Sequence, residues 1–453
     1  MSRLTEFSPR GGRTVATLAC AGLVALTACS EPEVVLVGKR EPISSVLQTA
    51  DTADQRVAEI SENQSLPFAA PASQTNADWT HGLGTPTYRT LNPALSDAPA
   101  LAWSNNIGAG DSRKLRITAD PVVAGGLIFT LDAASQVTAT NLSGQTVWQA
   151  SVLPSRDKDG EATGGGLAVA GDVLYVTSGF GTLTAFDAAS GAVSWAQDLD
   201  ASATGRPTVF GNLVYLVAGD RTGWAIETET GRIAWQIDAT EDVGNVLGGP
   251  APVVVDDVAV FSFGSGELQA VFRRGGLRRW DSSVLGERAG RALSNVDDVT
   301  GTPVAANGVI YAGSQAGRTV ALDAASGKRI WTAQEGAIDT VLPVGGSVFV
   351  VSDRNELLRL SAEDGARIWG TPLPNFVKDS PRRSSRVFAN HGPILADGKL
   401  VVASGDGQLR FFNPEDGSLL SSVSIPGGAT TAPVVAGGVL YLVNTKGQLL
   451  AFR

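Results

Sequence analysis

Side chains suited to covalent or metal chemistry are scarce in this chain, which has two cysteines and two histidines among its 453 residues. The cysteines are Cys20 and Cys29, so the sequence beyond residue 29 has no thiol to form a disulfide, bind a metal or act as a nucleophile. Asp78 and His81 are close in sequence, but one carboxylate and one histidine in a loop are more commonly polar surface groups than a metal site. We therefore predict no catalytic residue and no metal site.

Cys29 is instead a candidate for modification. Three arginines precede an apolar run at residues 15–27, which is too short to span a bilayer and has the layout of a secretory signal. The run leads into Leu-Thr-Ala-Cys at residues 26–29, which resembles the bacterial lipobox, where cleavage precedes a cysteine that carries the lipid. An ordinary signal peptide with an incidental cysteine is the alternative. Ser30 stands where an aspartate usually retains lipoproteins in the inner membrane of enteric bacteria, so the resemblance implies the outer membrane.

The composition divides the chain into three parts. Residues 1–28 are the predicted signal peptide, and residues 29–98 are a predicted lipidated flexible tether, because prolines punctuate a stretch rich in Ser, Thr, Gln and Ala. Residues 99–453 are the predicted folded body. We expect its membrane contact to be through the lipid alone. The formal net charge of −10 argues against nucleic acid as a partner.

A repeated unit organises the folded body. Residues 312–331 illustrate it: an Ala-x-Asp strand, then a Gly that permits a tight turn, and a Trp four residues after the Gly. Asn-Gly or Gly-Gly pairs between apolar runs, as at Asn307 and Gly308, indicate further hairpins. One unit is thus four short antiparallel strands. The Gly and Trp recur roughly every 40 to 50 residues, at Gly144 and Trp148, Gly191 and Trp195, Gly231 and Trp235, Gly276 and Trp280, Gly327 and Trp331, and Gly365 and Trp369.

The repeats predict an all-β fold, an eight-bladed β-propeller of four-stranded antiparallel blades. The seventh unit has Ser421 at the tryptophan position, and the eighth ends with the chain after three strands. Residues 100–104, which include Trp103, supply the missing strand, so the last blade is closed by an N-terminal strand. We expect each tryptophan to pack against the Ala-x-Asp strand of the neighbouring blade. The alternative, an open solenoid, would need polar capping repeats, and none is visible.

The Ala-x-Asp-x-x-x-Gly-x-x-x-Trp units resemble the repeat of the quinoprotein (PQQ-type) propeller family. This family includes quinone-dependent dehydrogenases and a non-enzymatic outer-membrane lipoprotein that assists β-barrel assembly. The dehydrogenases hold a quinone in the central channel with a calcium-like ion, an Asp base and often adjacent cysteines, and this sequence has no matching cluster and no cysteine beyond residue 29. The resemblance therefore implies the assembly lipoprotein, with no enzymatic activity and no cofactor. A PQQ-dependent dehydrogenase-like or ligand-binding propeller is the alternative.

The resemblance also implies where a partner binds. Residues 291–303 are similar to a segment by which the assembly lipoprotein contacts the periplasmic POTRA domains of the insertase BamA, although one of its two acidic positions is an asparagine here. A second contact segment corresponds to residues 241–247, which lack the arginine of the family pattern. The candidate partner-binding residues are Asn295, Asp297 and Asp298 in the first segment and Asp242, Asn245, Val246 and Leu247 in the second.

The function implied by this resemblance is that of a non-catalytic scaffold subunit of the outer-membrane β-barrel protein assembly (BAM) complex. Such a subunit lies on the periplasmic face of the outer membrane, docks on BamA and aids insertion of outer-membrane proteins. Other BAM subunits and unfolded outer-membrane protein clients are further expected partners, the clients through added β-strands.

Overall fold

The computed structural model describes residues 62–158, 160–219, 221–240, 249–286, 298–378 and 386–453. The chain divides into a unit of Met1–Glu59 and a unit of Ile60–Arg453, and every described residue belongs to the second. Among these residues, no helix is long and apolar enough to span a membrane.

Within the described part of the chain, thirty-two strands form eight four-stranded sheets, which we number as blades from the N-terminal side. The first four blades each contain four consecutive strands: blade 1 has β2 (Val122–Ala124), β3 (Leu127–Leu131), β4 (Gln136–Asn141) and β5 (Thr146–Ser151); blade 2 has β6 (Gly165–Ala170), β7 (Val173–Ser178), β8 (Thr182–Asp187) and β9 (Val193–Asp198); blade 3 has β10 (Thr208–Phe210), β11 (Leu213–Ala218), β12 (Thr222–Glu227) and β13 (Ile233–Asp238); blade 4 has β14 (Val253–Val255), β15 (Val258–Ser262), β16 (Glu267–Phe272) and β17 (Arg278–Ser283).

The remaining blades complete the propeller, and the last is built from both ends of the folded body. Their strands are as follows: blade 5 has β18 (Val304–Ala306), β19 (Val309–Ser314), β20 (Arg318–Asp323) and β21 (Arg329–Ala333); blade 6 has β22 (Leu342–Val344), β23 (Ser347–Val351), β24 (Glu356–Ser361) and β25 (Arg367–Pro372); blade 7 has β26 (Asn390–Ala396), β27 (Lys399–Ser404), β28 (Gln408–Phe412) and β29 (Leu419–Ser424); blade 8 has β30 (Val434–Ala436), β31 (Val439–Val443), β32 (Gln448–Phe452) and, on its outer side, β1 (Leu101–Asn106). The predicted eight-bladed propeller, closed by an N-terminal strand, is confirmed.

Each tryptophan of the repeat joins its blade to the next one. The indole N–H of Trp148 in blade 1 donates to the carbonyl of Ala188 in the last turn of blade 2, at 2.9 Å. A Cβ added to Gly191 in the same turn would come within 2.6 Å of the Trp148 ring. Gly191 is therefore required for its positive φ of 74° and also for the space that the neighbouring tryptophan fills.

The predicted packing against the Ala-x-Asp strand of the neighbouring blade is present, and a contact with the turn adds to it. Trp148 stacks on Phe186 of that strand in blade 2, with ring centroids 6.1 Å apart, and also meets the turn that follows the strand. The same contact explains Ser421, which takes the tryptophan position in blade 7. A tryptophan there would pack on the turn between the last two strands of blade 8, but these strands, β32 and β1, are not joined by a turn.

Residues 62–98, which we call the strap, are packed on the propeller rather than extended away from it. Trp79 is 2% exposed and lies in the same apolar cluster as Ile107 and Val123. The predicted flexible tether is therefore wrong for residues 62–98, because buried apolar and hydrogen-bonded groups outweigh a composition typical of linkers. The prediction that His81 is a polar surface group is also wrong, since it is 4% exposed.

Candidate partner interface

Most of the predicted site lies outside the described residues. This holds for Cys29, Asp242, Asn245, Val246, Leu247, Asn295 and Asp297. Asp298 is described, is 6% exposed and is engaged within the chain. Its buried carboxylate is poorly placed to meet a partner in this arrangement, so Asp297 becomes the more suitable acidic candidate in this segment.

Described residues in or near the two predicted contact segments meet at one place. Asp298, which belongs to the segment at 291–303, and Gly249 and Pro250, which lie shortly after the segment at 241–247, line one depression with a volume of about 30 Å³. The backbone N–H of Ala251 donates to the Thr302 hydroxyl at 3.1 Å, which ties the two connections together. Described residues far apart in sequence, ahead of the first strands of blades 4 and 5, thus line the same depression.

The segment after Asp298 is fixed to the blades beside it. Val299 forms an antiparallel bridge with Ser314 of β19, and the Thr300 N–H donates to the carbonyl of Gly313 at 3.3 Å. The Thr300 hydroxyl donates to the carbonyl of Ala337. The described end of this connection, residues 298–300, is therefore held at several points on blade 5 and the segment that follows it.

Sequence reasoning missed the floor of the depression. Phe263 and Ser262, at the end of β15, are both 2% exposed and line it together with Gly205. The Ser262 hydroxyl is buried without a hydrogen-bond partner. Nothing in the sequence distinguishes this strand end from those of other blades, so only the three-dimensional arrangement reveals it.

A second group of polar residues lies where the strap meets the first strands of the blades. The Arg89 guanidinium donates to the carbonyls of Thr340 and Val341, both at 2.6 Å, and of Pro393 at 2.7 Å. Burial lowers the pKa of Arg89 to about 10, against the opposing charge of Asp339. Arg89 therefore remains cationic at neutral pH and joins blades 6 and 7 to the strap.

Asp120 and Arg206 form a buried ion pair nearby. Arg206 Nη2 lies 2.8 Å from Asp120 Oδ2, and the Ala432 N–H donates to Asp120 Oδ1 at 2.8 Å. Burial raises the pKa of Asp120, while Arg206 opposes that shift. These contacts hold blades 1, 3 and 8 together. Among the described residues, no group of His, Cys, Asp and Glu side chains has the arrangement of a metal site.

Comparisons with known proteins distinguish between the assembly lipoproteins and the quinone-dependent dehydrogenases. A family profile described as outer membrane protein assembly factor BamB matches residues 133–371 and 379–453. The protein of that name from Escherichia coli strain K12 is 31% identical over 358 residues, which cover 78% of this chain and 88% of that relative.

Solved structures of an assembly factor and of a dehydrogenase both resemble this propeller. BamB from Moraxella catarrhalis has a TM-score of 0.64 at 18% identity, covering 79% of this chain and 100% of that one. A quinohemoprotein alcohol dehydrogenase from Comamonas testosteroni has a TM-score of 0.62 at 16% identity, covering 83% and 80%. At these identities the likeness shows the propeller fold alone. The profile and the sequence identity carry the assignment: the chain belongs to the family of the outer membrane protein assembly factor BamB.

Proposed function

We propose that this chain is a non-catalytic scaffold subunit of the outer-membrane β-barrel assembly complex. The lipid on Cys29 holds it at the periplasmic face of the outer membrane, and it docks on the POTRA domains of BamA. Other subunits of the complex and unfolded outer-membrane proteins are its further partners. The family match supports the role. The docking surface is supported by Asp298, in one predicted contact segment, and Gly249, shortly after the other, lining the same depression.

The proposed scaffold function depends on the rigidity of the propeller. Tryptophan contacts between blades, such as that of Trp148 with Ala188, and the Arg89 contacts to three carbonyls fix the blades relative to one another. A fixed ring holds Gly249 and Asp298, ahead of the first strands of blades 4 and 5, at a constant separation. The partner's periplasmic domains thereby meet a preorganised surface, and little ordering free energy is spent on binding.

Charge reversal in the first contact segment tests the docking surface. We expect Asp297→Lys to weaken capture of BamA about tenfold, because a charged contact at an interface contributes about 1.4 kcal/mol or more. The measurement is co-purification of BamA with the tagged chain from solubilised membranes.

The matched control is Glu363→Lys, which makes the same charge change at an exposed residue in the turn between β24 and β25 of blade 6. It should capture BamA as the unaltered chain does. Equal capture by all three proteins would show that the interface lies elsewhere.

A further inference from the structure

The strap binds the first strands of consecutive blades at one repeated position. In blades 1 and 2 this position is the residue two before the first turn, Val123 and Val169, and both donate their backbone N–H to the strap. Val123 donates to the carbonyl of Trp79 at 2.8 Å, and Val169 donates to the carbonyl of Thr80 at 2.9 Å. Val209, at the same position in blade 3, donates to His81 Nε2 at 3.1 Å.

Strand register explains why this position is available. In blade 1 the hairpin between the first two strands is closed by the pair Ala124 and Leu127. The next pair, Val123 and Ile128, therefore exchanges no hydrogen bonds across the hairpin. The N–H and C=O of Val123 therefore point away from the second strand, toward the inner edge of the blade. The strap covers these edges in blades 1 to 3.

Blade 5 presents the same edge without the strap. Ala306 lies opposite Val309 and Ala305 opposite Ile310, so Ala305 occupies the position of Val123. No hydrogen bond joins the strap backbone to β18 among the described residues. The N–H and C=O of Ala305 are consequently open to an added strand.

A cleft of about 720 Å³ lies over this edge. The strap forms one wall, and residues 304–307 and 343–345 form the other. Tyr88 and Leu91, which line the strap wall, are 60% and 37% exposed. Two charged side chains line the cleft, and both are engaged: Arg89 with backbone carbonyls, and Asp78 with the N–H of Gly125 at 3.1 Å.

We propose that this cleft binds an extended, uncharged peptide segment that pairs with Ala305 through main-chain hydrogen bonds. The strap is the internal precedent: the backbone of Trp79 pairs with Val123 of blade 1 and the carbonyl of Thr80 accepts from Val169 of blade 2, while the His81 side chain accepts from Val209 at the equivalent position of blade 3. The occupant is a strand segment of an unfolded outer-membrane protein, whose alternating apolar and polar residues place one face on Tyr88 and Leu91 and the other in water. This choice of occupant rests on the proposed function.

Removal of one backbone donor tests the pairing. Ala305→Pro deletes the N–H, and blade 6 shows that the fold accepts proline here, because Pro343 has the same register opposite Val348. Ala305→Ser keeps the N–H and is the matched control. The probe is a fluorescent ten-residue peptide of alternating tyrosine or leucine with threonine, and its anisotropy is measured with the full chain. We expect about tenfold weaker binding for Ala305→Pro and unchanged binding for Ala305→Ser.

A second variant covers the case in which Ala305→Pro unfolds. Ala306→Trp adds a bulky side chain to the blade wall of the cleft and should also reduce binding of the peptide at least tenfold. The proposal is overturned if the unaltered chain does not bind the peptide, or if the folded variants bind it as the unaltered chain does. Capture of BamA by Ala305→Pro separates the two proposals, because loss of peptide binding with normal capture leaves the docking surface intact.

Discussion

Replacement of Trp79 by alanine is expected to lower the free energy of unfolding by about 3 to 5 kcal/mol, the usual cost of truncating a buried aromatic side chain. Trp79 is 2% exposed, and its backbone exchanges two 2.8 Å hydrogen bonds with Val123 of blade 1. Urea unfolding followed by tryptophan fluorescence gives the free energy, and limited proteolysis reports whether the strap is released.

Trp79→Phe is the matched control for this prediction. The indole N–H of Trp79 is buried without a partner, so phenylalanine retains most of the apolar contact and removes an unsatisfied donor. We expect Trp79→Phe to stay within about 1.5 kcal/mol of the unaltered chain. An unchanged urea midpoint and unchanged cleavage for Trp79→Ala would show that the strap does not stabilise the propeller.

Acidification is expected to weaken the strap through His81. Burial lowers the pKa of His81 from 6.5 to about 4, and Nε2 accepts the N–H of Val209, a hydrogen bond that only the neutral ring can make. His81 is thus neutral in the folded protein. Its contribution to the free energy of unfolding is fully present above pH 6.5 and is lost as the pH falls toward 4. The difference between the pKa values of His81 in the unfolded and folded states corresponds to about 3 kcal/mol of unfolding free energy.

His81→Gln isolates this effect, because the glutamine carbonyl can accept the Val209 N–H without titrating. The measurement is the urea midpoint of both proteins at intervals from pH 7 to pH 4.5. The unaltered chain should lose stability over this range more steeply than the variant. The raised pKa of Asp120 acts in the opposite direction at the acidic end, since its protonation on acidification favours the folded state. Parallel pH profiles would contradict the role assigned to His81.

The propeller was predictable because its determinants recur. Gly191 and Trp148 belong to a pattern repeated along the chain, and each repeat makes the same contact with its neighbour. The strap was not predictable in this way. Arg89 donates hydrogen bonds to carbonyls about 250 to 300 positions further along the chain. The residues around Arg89 show no periodic pattern, so their composition indicated a flexible linker.

The candidate interface was predictable only in part. Resemblance pointed to residues 241–247 and 291–303. The structure brings Gly249, near the first of these segments, and Asp298, within the second, to one depression. Sequence alone did not indicate that Asp298 is buried, because burial there depends on packing between blades. The Ala305 edge was likewise hidden: its significance comes from the strap, which covers equivalent edges and leaves this one open.

A subunit of the assembly complex should bind BamA in the membrane. Capture of the tagged, unaltered chain from solubilised membranes, followed by quantification of BamA in the eluate, tests this binding. We expect BamA to co-elute with the chain in a fixed ratio. An eluate without BamA, together with binding of pyrroloquinoline quinone and dye reduction by alcohols, would contradict this expectation and identify the chain as a dehydrogenase.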